Sequence, residues 1–245
     1  MLNIVIPMAG KGLRFVEAGY TDPKPLIEIY KKKMIQIVIE NLTPKIAHRF
    51  IFICRKEHLE KYDLKQILKS LSPGCTILSL NKITEGAACT VLEAKELINN
   101  NDELMIANCD QYIEFSINDY LEEINNDNTD GLIMTMKAND KKWSFIRYNK
   151  QNLVTEVVEK VVISDEATVG IYNFKTGSDF VSAANKMIKL NLRVNGEFYV
   201  APTYNQLISD NKIIRFCNIG EVNNGMYGLG TPEDLNSFTL KKVLP

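Results

Sequence analysis

Short apolar runs alternate with segments of helical spacing through the first half of the chain. Leu2–Met8 (LNIVIPM) reads as a buried strand, Met34–Leu42 as a helix, and residues 49–54 (RFIFIC) as a second strand. Helical spacing returns over 57–71, strand character over Thr76–Leu80, and helical spacing again over 87–98. A short strand at 103–107 then ends just before Asn108-Cys109-Asp110. Strands alternating with helices at this spacing predict βαβ units and a mainly parallel sheet.

The pattern changes after about residue 130. Residues 131–138, Ser144–Tyr148, 153–158 and 169–174 are strand candidates with short connections, which predicts antiparallel or mixed additions to the same sheet. A helix follows at 176–190, a late strand at 213–217, and a terminal helix that opens at Thr231. Thr231 is placed to cap that helix, with Pro232 in its first position and Asp234 two further on. The expected fold class is α/β, three-layered, with a mainly parallel (mixed) central sheet. One domain is expected over 1–245, with a nucleotide half (1–130) and an acceptor half (131–245).

Composition narrows the partners. The chain has 245 residues, 45% hydrophobic and 24% charged, which is ordinary for a globular protein with a well-buried core. A net charge of −1 gives no global electrostatic reason to bind nucleic acid, and Lys31-Lys32-Lys33 reads as a solvated turn. No run approaches the ~18–20 apolar residues of a membrane-spanning helix, and the first strand is not a signal peptide. The five cysteines (54, 75, 89, 109, 217) form no CxxC pair, so neither zinc nor a disulfide framework is expected and a cytoplasmic location fits. Only His48 and His58 occur, neither near a glycine-rich or acidic motif, which speaks against histidine general-base chemistry. The sequence is compatible with a homo-oligomer and does not specify one.

Candidate chemistry begins directly after the first strand, at Pro7-Met8-Ala9-Gly10-Lys11-Gly12-Leu13-Arg14-Phe15. Two glycines let backbone N–H groups approach a polyphosphate, and Arg14 offers a bidentate fork to phosphate oxygens. The segment is not a Walker A loop, since no Gly-Lys-Ser/Thr follows, and Phe15 stands where a dinucleotide fingerprint has its third glycine. Nine residues past Arg14 comes Pro23-Lys24-Pro25-Leu26-Ile27, in which two prolines stiffen the flanks of a lysine. A rigidly held ammonium is what a site needs to meet charge developing at phosphorus.

The pair AGxGxR and PKPLI resembles the signature of the sugar-phosphate nucleotidyltransferase superfamily, and the rest of the chain follows its order. Glu85-Gly86-Ala87-Ala88 resembles the loop that reads the base, and Asn108-Cys109-Asp110 resembles the element carrying the metal-binding aspartate. Val158-Glu159-Lys160 resembles the "EKP" element, with Val161 where proline is usual, and Thr168-Val169-Gly170-Ile171-Tyr172 resembles the strand lining the acceptor pocket. Across whole segments, including Trp143-Ser144-Phe145 and Gly196-Glu197-Phe198-Tyr199-Val200, the chain is most similar to the CTP:phosphoglutamine cytidylyltransferases of capsule phosphoramidate biosynthesis.

The resemblance implies a Rossmann-like, GT-A-like fold, Mg²⁺ as cofactor, and CTP and a small phosphorylated metabolite as partners. It implies Arg14, Lys24 and Asp110 as catalytic residues, Asp110 being the metal ligand. Met8, Ala9, Gly10, Lys11, Gly12, Glu85, Gly86, Ala87 and Asn108 would hold the nucleotide, and Lys160, Gly170, Tyr172 and Glu197 the acceptor. A hard carboxylate after a parallel strand suits Mg²⁺, and a phosphate nucleophile already ionised at neutral pH needs no general base. Glu85 can accept from the amino group of cytosine, accept from a ribose hydroxyl, or cap the helix starting near Ala87. The superfamily's second metal aspartate falls at Gly228 in this chain, so that carboxylate is missing or supplied from elsewhere. An Asp-x-Asp motif, usual in glycosyltransferases of related fold, is absent, since Asn108-Cys109-Asp110 carries one carboxylate.

Overall fold

The computed structural model describes residues 1–125 and 128–241. In chain order, β1 (Leu2–Met8) leads through the glycine loop into α1 (Leu13–Glu17) and a 3₁₀ turn at Lys24–Leu26. A small hairpin, β2 (Glu28–Ile29) and β3 (Lys32–Lys33), turns at Tyr30-Lys31 and precedes α2 (Met34–Leu42). Next come β4 (His48–Arg55), α3 (Lys56–Lys61), α4 (Leu64–Leu71), β5 (Thr76–Leu80), α5 (Ala87–Leu92), α6 (Lys95–Ile98) and β6 (Leu104–Ala107). The chain continues through β7 (Gln111–Ile113), α7 (Ile117–Asn125), β8 (Gly131–Lys137), β9 (Ser144–Tyr148), β10 (Val154–Glu159) and β11 (Glu166–Phe174). It closes with α8 (Gly177–Lys189), a 3₁₀ turn at Ala201–Thr203, α9 (Tyr204–Ser209), β12 (Ile214–Val222), β13 (Gly225–Gly228) and α10 (Pro232–Leu240).

One sheet runs through both halves in the order β5-β4-β1-β6-β11-β8-β12-β13-β7, with the β9–β10 hairpin attached through β9 to β11. Strands β5, β4, β1 and β6 are parallel, β11 runs antiparallel to β6 and β8, and β12 lies parallel to β8. The sheet is therefore mixed, with its parallel block β5-β4-β1-β6 built from the N-terminal half of the chain.

Alternation along each strand divides the core into the two faces of a three-layer sandwich. Ile4 and Ile6 of β1 join Phe50, Phe52, Met105, Met134 and the buried sides of α2, α4 and α7. Val5 points the other way, with Ile51, Ile53, Ile106, Ile133 and the buried sides of α5, α8 and α9. A third cluster ties Phe15, Ile27 and Ile37 to Leu229, Leu235 and Phe238. It anchors the glycine loop and the Lys24 turn against the C-terminal helix.

Two helices read from the sequence are broken. The segment 57–71 divides at Asp63, whose φ of 20° lies outside helical backbone, and 87–98 divides where Glu93 and Ala94 tighten into i→i−3 hydrogen bonds. Helix α7, helix α9 and strands β7 and β13 were not expected; α9, β7 and β13 are too short to show a period, whereas α7 buries Ile117, Tyr120, Leu121 and Ile124 at helical spacing that the sequence reading passed over. The Thr231 cap is present, its hydroxyl accepting from the Asp234 N–H at 3.1 Å, and Thr176 caps α8 in the same way.

Candidate active site

β1 and β6 are parallel neighbours, with Val5 opposite Ile106. The glycine loop after β1 and Asn108–Asp110 after β6 therefore emerge at the same edge, where ligands bind in open α/β sheets. Between them and residues of the C-terminal half lies a cleft of about 840 Å³. Ala9, Gly10, Lys11, Gly12, Arg14 and Lys24 line one side, and Gly86, Ala87, Asn108 and Asp110 continue the wall. Lys160, Gly170, Tyr172 and Glu197 line the other side. Residues far apart in sequence are thus gathered around one space. Met8 is not among them, since its side chain is buried in the core.

The Lys24 turn is held by Pro25 and Leu26, both buried, while Pro23 keeps an extended backbone ahead of it. From this base the Lys24 ammonium donates to Asp110 Oδ2 at 2.7 Å, with both side chains 23% exposed. Burial alone would lower the Lys24 pKa, but the Asp110 carboxylate outweighs it and holds the ammonium well above its ordinary value. Lys24 therefore stays charged at neutral pH and serves as a cation, not as a proton acceptor. Cys109, beside it, is buried, and that burial pushes its thiol up to about 11, which rules it out as a nucleophile near neutrality.

Asp110 is pinned from the C-terminal side. Its carbonyl accepts from the Leu229 N–H at 2.8 Å, and a Cβ on Gly230 would lie 2.6 Å from its Oδ2. Gly228 brings no carboxylate, and a Cβ there would meet the Asp234 carboxylate at 3.3 Å. Among the described residues no group of three or more His, Cys, Asp or Glu forms a metal cage. Asp110 fits the part of a single protein ligand to an ion completed by phosphate and water, the usual environment of Mg²⁺.

Gly86 and Gly170 are needed for their backbone. Gly86 has φ 130°, and a Cβ would collide with the backbone of Phe198. Gly170 has φ 92°, and a Cβ would collide with Asn108 Nδ2, while its carbonyl accepts from the Asn108 N–H at 3.0 Å. The Glu85 carboxylate lies outside the cleft lining, bound by the fork of Arg193 at 3.1 and 3.3 Å. It does not cap α5, and as placed it does not face a base or ribose in the cleft.

On the other side of the cleft Lys160 has a left-handed backbone (φ 59°) and donates to the Tyr199 hydroxyl at 2.5 Å while lying over its ring. Glu159, 5% exposed, accepts from the Ser144 hydroxyl. Its burial raises its carboxyl pKa above the ordinary value, against the opposing pull of Ser144 and Lys160. The Tyr172 hydroxyl is 3.0 Å from that of Thr168. Lys142 and Trp143 line the cleft, with the Lys142 ammonium over the Trp143 ring and 3.6 Å from Asp234. Lys142 and the part Tyr199 plays toward Lys160 were missed from sequence; both residues sit outside the regular strands and helices. His48 and His58 are absent from the lining.

Fold and cleft define an α/β protein with a glycine-lined, cationic sheet edge that shares one cleft with a pocket carrying both charges. The chain belongs to the nucleotidyl transferase family, whose profile matches residues 4–193. It is 24% identical over 183 residues to the mannose-1-phosphate guanylyltransferase catalytic subunit beta of Dictyostelium discoideum, covering 71% of this chain and 49% of that protein. It is 23% identical over 212 residues to a bifunctional sugar-1-phosphate nucleotidylyltransferase/acetyltransferase of Sulfurisphaera tokodaii, covering 86% and 49%. The chain thus spans about half the length of these two relatives. The crystal structure of a nucleoside-diphosphate-sugar pyrophosphorylase from Vibrio cholerae superposes with a TM-score of 0.81 at 26% identity, over 97% of this chain and 99% of that one. Among the described residues no helix is long and apolar enough to cross a membrane.

Proposed function

We propose that the protein is a nucleotidyltransferase that moves the CMP unit of CTP onto L-glutamine phosphorylated on its side-chain amide, releasing pyrophosphate and giving CDP-glutamine. The reading treats 1–245 as one cytoplasmic catalytic unit of capsule phosphoramidate synthesis, monomeric or homo-oligomeric. The single observation that carries the reaction class is the Lys24–Asp110 pair set directly beside the glycine loop in the cleft.

In the reaction an acceptor phosphate oxygen attacks the α-phosphorus in line, and the bond to the bridging oxygen of pyrophosphate breaks. No proton has to be removed from the nucleophile, in keeping with a cleft that contains no histidine. The backbone of Gly10 to Gly12 receives the triphosphate. Arg14 and Lys24 meet the charge that develops, Lys24 exchanging its Asp110 partner for phosphate oxygens. Asp110 would hold Mg²⁺, which when bound supplies further neutralisation of phosphate charge. Met8 acts only by shaping the start of the loop.

The acceptor is read from the opposite wall. Lys160 offers a cation to the acceptor's phosphate, and Glu159 and Glu197 offer acidic partners to an α-ammonium group. Gly170 and Tyr172 floor the pocket between them. A buried acid that expects a cation rejects acceptors lacking one, because its charge is then left unpaired. CTP as donor rests on the resemblance of the loop around Gly86, since the Glu85 carboxylate is turned to Arg193. A second reading, a sugar 1-phosphate as acceptor, is favoured by what both sequence relatives are named for. Measuring kcat/KM for phosphoglutamine, phosphocholine and glucose 1-phosphate, each with CTP and UTP, separates the two. Phosphoglutamine with CTP is expected to lead; a sugar phosphate ahead by about tenfold or more defeats the acceptor assignment and leaves the reaction class standing.

A further inference from the structure

Residues 191–199 contribute Glu197 and Tyr199 to the cleft and contact segments that form both of its walls. Toward the nucleotide side, the Phe198 N–H donates to the Glu85 carbonyl at 2.8 Å and the Ala88 N–H donates to the Phe198 carbonyl at 3.0 Å. These bonds straddle Gly86, whose open backbone permits the close approach. Toward the acceptor side, Glu197 and Tyr199 line the pocket, and Tyr199 holds Lys160. The segment is itself a tight turn, closed by mutual Val194–Glu197 backbone bonds of 3.0 Å around left-handed Asn195 and Gly196.

Arg193 fastens this strap. Its guanidinium lies 4.3 Å from the centre of the fully buried Phe198 ring and grips both Glu85 oxygens. Its Nε donates to Asn191 Oδ1 at 2.6 Å and one Nη donates to the Gly196 carbonyl at 3.4 Å. The bonds to Asn191 and Gly196 stiffen the segment itself, and the two to Glu85 hold it against the 84–88 loop. An exposed ion pair alone contributes little, but a two-pronged, ring-stacked arginine loses less freedom on pairing than a lone lysine does.

We infer that Arg193 is a positioning residue: its grip on Glu85 ties the 84–88 loop to the strap that carries Glu197 and Tyr199, so that the donor and acceptor sites are coupled. The inference rests on the nucleotidyltransferase reading for what each wall binds. By reciprocity of linked equilibria, donor binding that steadies the 84–88 loop tightens acceptor binding by the same factor in reverse.

Amide hydrogen exchange on the ligand-free protein tests the strap directly. Arg193→Ala should speed exchange about three- to tenfold at 85–90 and 197–200 together, leaving the core strands β1, β4 and β6 protected. Glu85→Gln should act in the same direction, and the double variant should be no worse than the worse single one. With substrates, Arg193→Ala should raise the KM of donor and acceptor about three- to tenfold each while kcat changes less than about twofold. Should Arg193→Ala fail to fold, Arg193→Lys keeps the charge without the fork and is expected to show the same exchange pattern. Unchanged exchange at 85–90, or independent and additive single effects, overturns the inference. Wild-type protein that binds no nucleoside triphosphate overturns the functional reading instead, and the ligand-free exchange comparison still decides the strap.

Discussion

On the donor wall of the cleft, opposite charges are paired with each other before any ligand arrives, as Lys24 and Asp110 show. On the acceptor wall, Glu159 is buried against a neutral hydroxyl and Lys160 rests on a neutral phenol. The donor wall is mounted on a rigid base of short loops fixed by an apolar cluster. The acceptor wall is assembled from a hairpin, a left-handed residue and a strap drawn from separate parts of the chain. A wall with one fixed ion pair and the further cations Lys11 and Arg14 is suited to a constant polyanion, a triphosphate; one whose charges rest on neutral partners waits for a particular ligand and so selects it.

If that contrast holds, damage to the donor wall should strike turnover hardest. Lys24→Ala removes a preorganised charge from the reaction centre, and kcat is expected to fall ~10²–10³-fold with thermal stability near that of the wild type. Arg14→Ala should act in the same direction. A folded Lys24→Ala protein with nearly normal kcat would break the comparison at its centre. Asp110→Asn keeps the shape but removes the charge, and because Gly228 supplies no second carboxylate the loss should persist at high Mg²⁺. Titration of kcat against free Mg²⁺, with excess chelator abolishing wild-type activity, checks this; full rescue of the variant by Mg²⁺ would count against it.

Between the walls, Gly170→Ala should cost stability as well as rate. A side chain at φ 92° is strained by ~1–3 kcal/mol, and its Cβ displaces the Asn108 amide that lines the cleft. Denaturant unfolding reads the first effect and donor KM the second; an unperturbed protein would contradict the packing described.

The acceptor wall should show itself most gently, through pH. Burial, opposed by the Ser144 hydroxyl and Lys160, raises the Glu159 pKa above its ordinary value, so the native protein takes up a proton there before the unfolded chain does. Its stabilising contribution is complete below the ordinary carboxyl value and is lost as pH rises through the raised one. Wild type should therefore gain stability relative to Glu159→Gln as pH falls. Over the same window Glu159 loses its charge, and KM for a cationic acceptor should rise on acidification. That acid limb should vanish in Glu159→Gln; its survival would assign it elsewhere.

The same contrast explains what could be read from the sequence. Donor-wall residues lie in runs of a few positions after strands, where glycine and proline chemistry leaves a local mark, as at Gly10–Gly12 and Pro23–Pro25. The parallel strands and α2 were legible because their apolar runs are continuous. Lys142, Tyr199 toward Lys160, and Arg193 toward Glu85 act across 39 residues or more in the latter two pairs, and nothing local signals such contacts. Glu85 shows the cost: its position beside Gly86 pointed to the base, whereas its carboxylate belongs to a loop more than 100 residues away. The breaks at Asp63 and Glu93 were hidden because apolar spacing continues across them.

The central claim is that this cleft breaks CTP at its α-phosphorus. CTP radiolabelled at either the α- or the γ-phosphorus, incubated with Mg²⁺ and phosphoglutamine, tests it most directly. The α-label is expected to appear in the nucleotide–acceptor conjugate, with pyrophosphate formed in equal amount and carrying the γ-label. Transfer of the γ-label to the acceptor, or no pyrophosphate from any triphosphate and phosphorylated acceptor offered, would contradict it.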